Sequence, residues 1–170
     1  MFIVLDLEAT CWKEKPHDPR MEIIEKGAVK VDLAKSLIIS EFDMLVRPVL
    51  NPELSAFCTE LTGIETTDVR HAEYFVQVYP KFVKFCGSRR DNILAAWGDY
   101  DKRQLQQDLA LHELEWLLPD RYLNVSHLYR EIKGGKKRGL RSQSMKGSSA
   151  PDRWRGHRVD AALRPTGFWR

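Results

Sequence analysis

Residues 1–12, MFIVLDLEATCW, begin as an apolar strand and then place two acids, Asp6 and Glu8, one residue apart. Successive side chains of a strand point to opposite faces, so residues two apart share a face. Asp6 and Glu8 therefore project side by side at the end of a strand whose start is fully apolar. Two adjacent carboxylates are costly to bury without a counter-charge. Either a cation sits between them or this end of the strand is wet.

The bulk of the chain narrows the choice. Its 170 residues suit one domain with a sizeable core, and 43% hydrophobic with 30% charged residues is ordinary for a soluble globular protein. No stretch approaches the ~18 uncharged apolar residues of a membrane span, so no membrane association is expected. Phe2–Leu5 is short for a signal peptide and has no basic leader. Cys11, Cys58 and Cys86 are odd in number and widely spaced, without zinc-ligand spacing, which predicts free thiols in a reducing, cytoplasmic setting. The net charge of +3 hides an uneven distribution. Residues 1–132 hold 16 of the 27 bases and 22 of the 24 acids, a balance of −6, and residues 133–170 carry +9. An acidic body with a basic tail suits a metal site beside a phosphate-attracting surface. A merely solvated tail explains the charge equally well.

Hydrophobic patterning predicts strands over Phe2–Leu7, Glu22–Leu33 and Leu37–Val46, the last two joined as an antiparallel hairpin through VDLAKSL (residues 31–37). Residues 51–63, NPELSAFCTELTG, predict a helix capped by Asn51, with Pro52 at its first position and Gly63 as terminator. Phe75, Val78, Tyr79, Phe82 and Phe85 recur at helical spacing, with Pro80 expected to kink or shorten that helix. DNILAAW (91–97) predicts a buried strand, followed by a helix over about Tyr100–Leu111. YLNVSH (122–127) predicts another strand, leading to a helix through Glu131. The order implies a mixed sheet flanked by helices. After Gly134 no clean period remains, and Gly, Ser, Arg and Trp dominate; this composition predicts a poorly ordered tail.

A second pair of acids, Asp99 and Asp101, follows the second buried strand. Capping of the next helix accounts for Asp99. Carboxylates at the ends of two strands of one sheet suit hard divalent cations, which take oxygen ligands. Two such ions ~3.5–4 Å apart can stabilise both the attacking and the leaving oxygen in phosphodiester cleavage.

VLDLEATCW, EIIEKGAVKV, FCTELTGI and AAWGDYDKRQL together resemble the motifs of the DEDDh 3′–5′ exonucleases, in the branch that holds the histone-mRNA 3′ exonuclease and KapD. The resemblance runs from Phe2 to about Leu140, with four motifs in the family's order. It implies an α/β, RNase H-like fold with a mixed five-stranded sheet, an exonuclease-like domain over residues 1–140 and a divergent segment over 141–170. It further implies hydrolysis of single-stranded RNA or short oligonucleotides, RNA or DNA, from their 3′ ends to nucleoside 5′-monophosphates. Position by position, Asp6, Glu8 and Asp101 match the acids that hold two Mg²⁺ or Mn²⁺ ions. Leu7, Ala9 and Thr10 match backbone and side-chain contacts to substrate, and Thr59, Leu61 and Thr62 match contacts to the terminal nucleotide. A core role explains Leu61 nearly as well, and for Trp12 and Trp97 a core role is commoner than base stacking.

The family's third motif is a His, four intervening residues and an Asp, the His acting as general base toward the attacking water and the Asp completing the metal ligands. RGHRVDAAL (155–163) offers His157 as the base, but Asp160 follows after only two intervening residues. Moving a ligand two positions along a helix turns it through roughly 200°. This departure supports a second reading, a catalytically impaired exonuclease-like module that binds nucleic acid or a protein regulator. A general two-metal phosphohydrolase acting on nucleotides is a third. Lys26 also departs from the family pattern, where an apolar residue is usual, and as a strand lysine it is expected to snorkel or to face solvent.

Overall fold

The computed structural model describes residues 1–14, 16–18 and 20–133. Three long strands come first: β1 (Phe2–Ala9), β2 (Ile23–Asp32) and β3 (Leu37–Arg47). Then follow α1 (Ala56–Thr62), α2 (Thr66–Arg70), β4 (Glu73–Tyr74), α3 (Phe75–Cys86), β5 (Ile93–Ala96), α4 (Tyr100–Leu111), β6 (Arg121–Asn124) and α5 (Val125–Ile132). The strands form one mixed sheet in the order β4-β3-β2-β1-β5-β6. β1, β2 and β3 pair antiparallel, whereas β5 runs parallel to both β1 and β6, and β4 runs parallel to β3. Six strands stand where five were expected; the extra one is β4, two residues long and too short to leave a periodic signal.

β1 alternates as its sequence requires. Ile3, Leu5, Leu7 and Ala9 are buried, while Asp6 and Glu8 share the half-open face. The main core packs Ile3, Leu5 and Leu7 of β1 against Phe75, Val78, Tyr79 and Phe82 of α3 and Leu105 and Leu109 of α4. A smaller cluster on the other side joins Ile24 to Cys58, Ile64 and Val69 of the α1–α2 layer. One irregularity serves both. The β1–β2 register runs Glu8↔Glu25 and then Ala9↔Ile23, so β2 carries an extra residue there. Such a bulge lets neighbouring residues bury on opposite sides: Ile23 enters the main core and Ile24 the smaller cluster.

Several local expectations are corrected. α1 begins at Ser55, whose side chain accepts from Cys58 N–H, and Asn51 is engaged elsewhere. α3 passes through Pro80 without interruption. The hydrogen bond that Pro80 cannot donate would have gone to Val76, which lies on the exposed side of the helix. Val125–His127 belong to α5, because Asn124 caps that helix by accepting from His127 N–H at 3.1 Å. Asp99 occupies the N-cap position of α4 but makes no side-chain cap bond. Lys26 is fully buried on β2, and among the described residues its Nζ finds no hydrogen-bond partner. It lies over the rings of Phe75 (4.7 Å), Tyr79 (5.4 Å) and Phe82 (4.6 Å).

Gly63 ends α1 as expected, at φ 79° with its N–H donating to Thr59 O. A Cβ there would meet nothing within 4 Å, so the cost of a side chain is confined to the backbone. Gly63→Ala should therefore destabilise by about 1 kcal/mol in urea unfolding. A loss above about 3 kcal/mol would show a packing role that the open surroundings exclude.

Candidate active site

β1 and β5 run parallel in register, Val4 opposite Ala95, and the chain leaves β5 through a turn at Gly98 (φ 111°) into α4. The turn is pinned by a hydrogen bond from Tyr122 Oη to Gly98 O. It delivers Asp101, in the first turn of α4, to the end of β1, where Leu7 N–H donates to Asp101 Oδ1 at 3.1 Å. Asp101 is 5% exposed. Burial first, then the charge of Asp6 and more weakly that of Glu8, push its carboxyl up to about 7, against the pull of the Leu7 N–H. The first and second acid motifs therefore meet in space, at a range where their charges repel.

α4 is held in place by a polar face that the reading of the sequence passed over. Asp101, Gln104 and Asp108 are spaced along one side of the helix and are all buried. Asp108 Oδ1 accepts from Ile23 N–H at 3.0 Å, and Gln104 Nε2 donates to Asp108 Oδ2 at 2.7 Å and to Met21 O at 2.9 Å. Gln107 also donates to Met21 O. The available signal was polar residues interleaved with Leu105 and Leu109 at helical spacing. Tyr100 was missed as well. Partial burial and then the charges of Asp101 and, more weakly, Glu8 push its hydroxyl up to about 12, which sets it against the same acids.

The candidate substrate residues divide by exposure. Leu7, Ala9 and Thr10 are buried, and the Thr10 hydroxyl accepts from Glu22 N–H. On α1, Leu61 is 41% exposed, Thr59 is half-buried, and Thr62 Oγ1 donates to Cys58 O at 2.9 Å. Cys11 ties this helix to the acidic end of β1: burial, the Cys58 thiol and Glu8 together push its own thiol up to about 12. All three cysteines are free. His157 and Asp160 lie outside the described residues, as do Lys136, Lys137 and Arg138.

Hard oxygen donors that repel one another suit a divalent cation in kind. As they stand, no three His, Cys, Asp or Glu groups among the described residues are close enough together to hold one ion. Among the described residues, no helix is long and apolar enough to cross a membrane.

A mixed sheet with helices on its faces, with the acids of β1 and of the first turn of α4 at one end, is the architecture of the RNase H-like exonucleases. The RNase_T exonuclease family model matches residues 3–142, and the chain belongs to that family. ERI1 exoribonuclease 2 of Danio rerio is 40% identical over 89 residues, which are 52% of this chain and 16% of that protein. The 3′-5′ exonuclease Snipper of Drosophila melanogaster is 46% identical over 69 residues, 39% of this chain and 25% of that protein. The chain thus spans a quarter or less of the curated relatives it matches. Among solved structures, the nuclease domain of 3′hExo, a DEDDh family member bound to rAMP, superimposes with a TM-score of 0.72 at 28% identity, covering 79% of this chain and 71% of that one. Dependence on divalent metal is general to that class.

Proposed function

We propose that this domain is a metal-dependent 3′–5′ exonuclease acting on the 3′ ends of single-stranded RNA or short oligonucleotides and releasing nucleoside 5′-monophosphates. The observation that carries the reading is the placement of Asp101, buried at the start of α4 and bonded by Leu7 N–H at the acid-bearing end of β1, where burial and then the charge of Asp6 raise its carboxyl. Asp6, Glu8 and Asp101 would hold two Mg²⁺ or Mn²⁺ ions, with Asp160 as a further ligand and His157 as general base. Bound there, divalent cations would neutralise phosphate charge and make water a better nucleophile. The chain's own contribution is placement. Leu7 N–H orients Asp101, and the Gln104–Asp108 contacts fix α4 against β2. Leu61 offers an apolar surface to the terminal base, and Thr59 and Thr62 border it on the same helix. Three free cysteines suit a reducing, cytoplasmic setting.

A 5′-labelled single-stranded oligoribonucleotide tests the proposal directly. In Mn²⁺ it should shorten stepwise from its 3′ end, and EDTA should stop the reaction. Asp6→Ala should abolish the shortening, while Asp99→Ala retains it. Internal cuts, activity in EDTA, or full activity of Asp6→Ala would overturn the assignment.

A further inference from the structure

Glu22 immediately precedes β2 and is 2% exposed. Its carboxylate is enclosed by three consecutive backbone donors. Oε1 accepts from Val49 N–H at 2.6 Å, and Oε2 accepts from Leu50 N–H at 2.8 Å and Asn51 N–H at 2.9 Å. Its own backbone is tied to the end of β1: Glu22 N–H donates to Thr10 Oγ1 at 2.9 Å, and Thr10 N–H donates to Glu22 O at 2.8 Å. One buried residue thus joins the acid-bearing strand to the segment that leads into α1. Four residues beyond Asn51, Ser55 makes a second tether, its Oγ donating to Cys11 O at 2.6 Å while accepting from Cys58 N–H at 3.0 Å. The 49–55 connection is therefore anchored near both ends to residues 10–11 and 22, next to the acids.

We propose that Glu22 is a positioning residue for the terminal nucleotide: by holding residues 49–51 it sets the distance between α1 and the carboxylates of β1. This inference rests on the reading that α1 receives the substrate's 3′ end. Glu22 is too deeply buried to touch substrate itself. Hydrogen bonds from three N–H groups to one carboxylate are charge-assisted and define direction as well as distance. Asp101 has a support of its own in Leu7 N–H, and α4 meets the chain around Glu22 through backbone groups of Met21 and Ile23, which a change of the Glu22 side chain leaves in place. Loosening the 49–51 segment should consequently move α1 and leave the acids in place. A purely structural Glu22 would lower stability without separating binding from turnover.

The test is Glu22→Gln in the full chain. Glutamine keeps the shape and one acceptor oxygen but turns an amide donor toward the N–H groups of the 49–51 segment. In Mn²⁺, KM for a short single-stranded oligoribonucleotide should rise ~10-fold or more, since small misplacements of binding groups carry costs of that order, while kcat stays within about twofold. The Kd of the same oligonucleotide, fluorescein-labelled and measured in Ca²⁺, should rise in parallel. Mn²⁺ affinity without substrate, read by electron paramagnetic resonance, should not change. An unchanged KM and Kd would overturn the proposal whatever happens to Tm, and so would parallel losses of kcat and Mn²⁺ affinity. If Glu22→Gln does not fold, Ser55→Ala cuts the second tether and must show the same separation of KM from kcat, or the proposal fails. Asp6→Ala, run beside these variants, separates the two readings. Undiminished activity in Asp6→Ala removes the exonuclease assignment, whereas its loss with normal substrate affinity in Glu22→Gln removes only the role of Glu22.

Discussion

Asp101→Asn should lower Mn²⁺-dependent shortening of a single-stranded oligoribonucleotide by more than ~10²-fold without unfolding the domain. Asparagine is nearly isosteric and still accepts from Leu7 N–H, the bond that ties α4 to β1 at 3.1 Å. What it removes is the negative charge that the proposed cation site depends on. Metal stabilisation of a phosphoryl-transfer transition state is worth several kcal/mol, and each 1.36 kcal/mol is about tenfold in rate. The stability consequence has the opposite sign. Asp101 is buried beside Asp6, so loss of its charge relieves both burial and repulsion. In EDTA at pH 8, Tm of the variant should equal or exceed that of the parent. An active variant would remove Asp101 from the ligand set, and an inactive variant with a much lower Tm would show that the carboxylate serves folding alone.

Lys26→Met should stabilise the domain by about 2–4 kcal/mol at pH 6, raising Tm by roughly 5–15 °C. The opposing effects can be ranked. Placing a cation over aromatic rings is worth about 2 kcal/mol when desolvated, whereas the effective cost of burying a charge is several kcal/mol. Desolvation wins, and it drops Lys26 from its ordinary value of 10.5 to about 7, against the weaker opposing pull of Asp108. Below pH 7 both folded and unfolded chains carry the charge, so the full cost is felt. Between about 7 and 10.5 the unfolded chain holds a proton that the folded chain has released, so stability rises with pH. The advantage of methionine should therefore be greatest below pH 7 and shrink toward pH 10. Asp108 keeps its donors from Ile23 and Gln104 in the variant. Thermal melts at pH 6 and pH 9 check both claims. A variant less stable than the parent at pH 6 would mean that the aromatic contacts outweigh burial.

The parts of the fold legible in the sequence are those governed by local periodicity. The alternation of β1 placed Asp6 and Glu8 on one face, and the spacing of apolar residues located α3 and α4. The errors fall where a distant partner overrides a local preference. Asn51 followed by Pro52 is a good helix start, yet Glu22, 29 residues away, takes the Asn51 N–H, and the helix waits for Ser55. Asp99 looked like a cap because it precedes a helix, but its backbone reaches that position without using the side chain. Lys26 seemed bound for solvent, and only the assembled sheet shows that α3 closes over it with three rings. At the site, the acids were visible as residue types at strand ends. Tyr100 and the Gln104–Asp108 support were not, because their meaning depends on which end of β2 lies under α4.

The doubled isoleucine at the β2 bulge divides the protein into two mechanical parts. Ile23 belongs to the broad core under α3 and α4, while Ile24 anchors the small group of Cys58, Ile64 and Val69. Local opening is easiest where few apolar contacts must be given up. The α1–α2 layer, which carries Thr59, Leu61 and Thr62, is fastened by far less apolar surface than the centre of the sheet, so it forms a seam. Its amides should exchange with solvent before those of β1 and β2, and the hydrogen bonds of Glu22 and Ser55 are what oppose that opening.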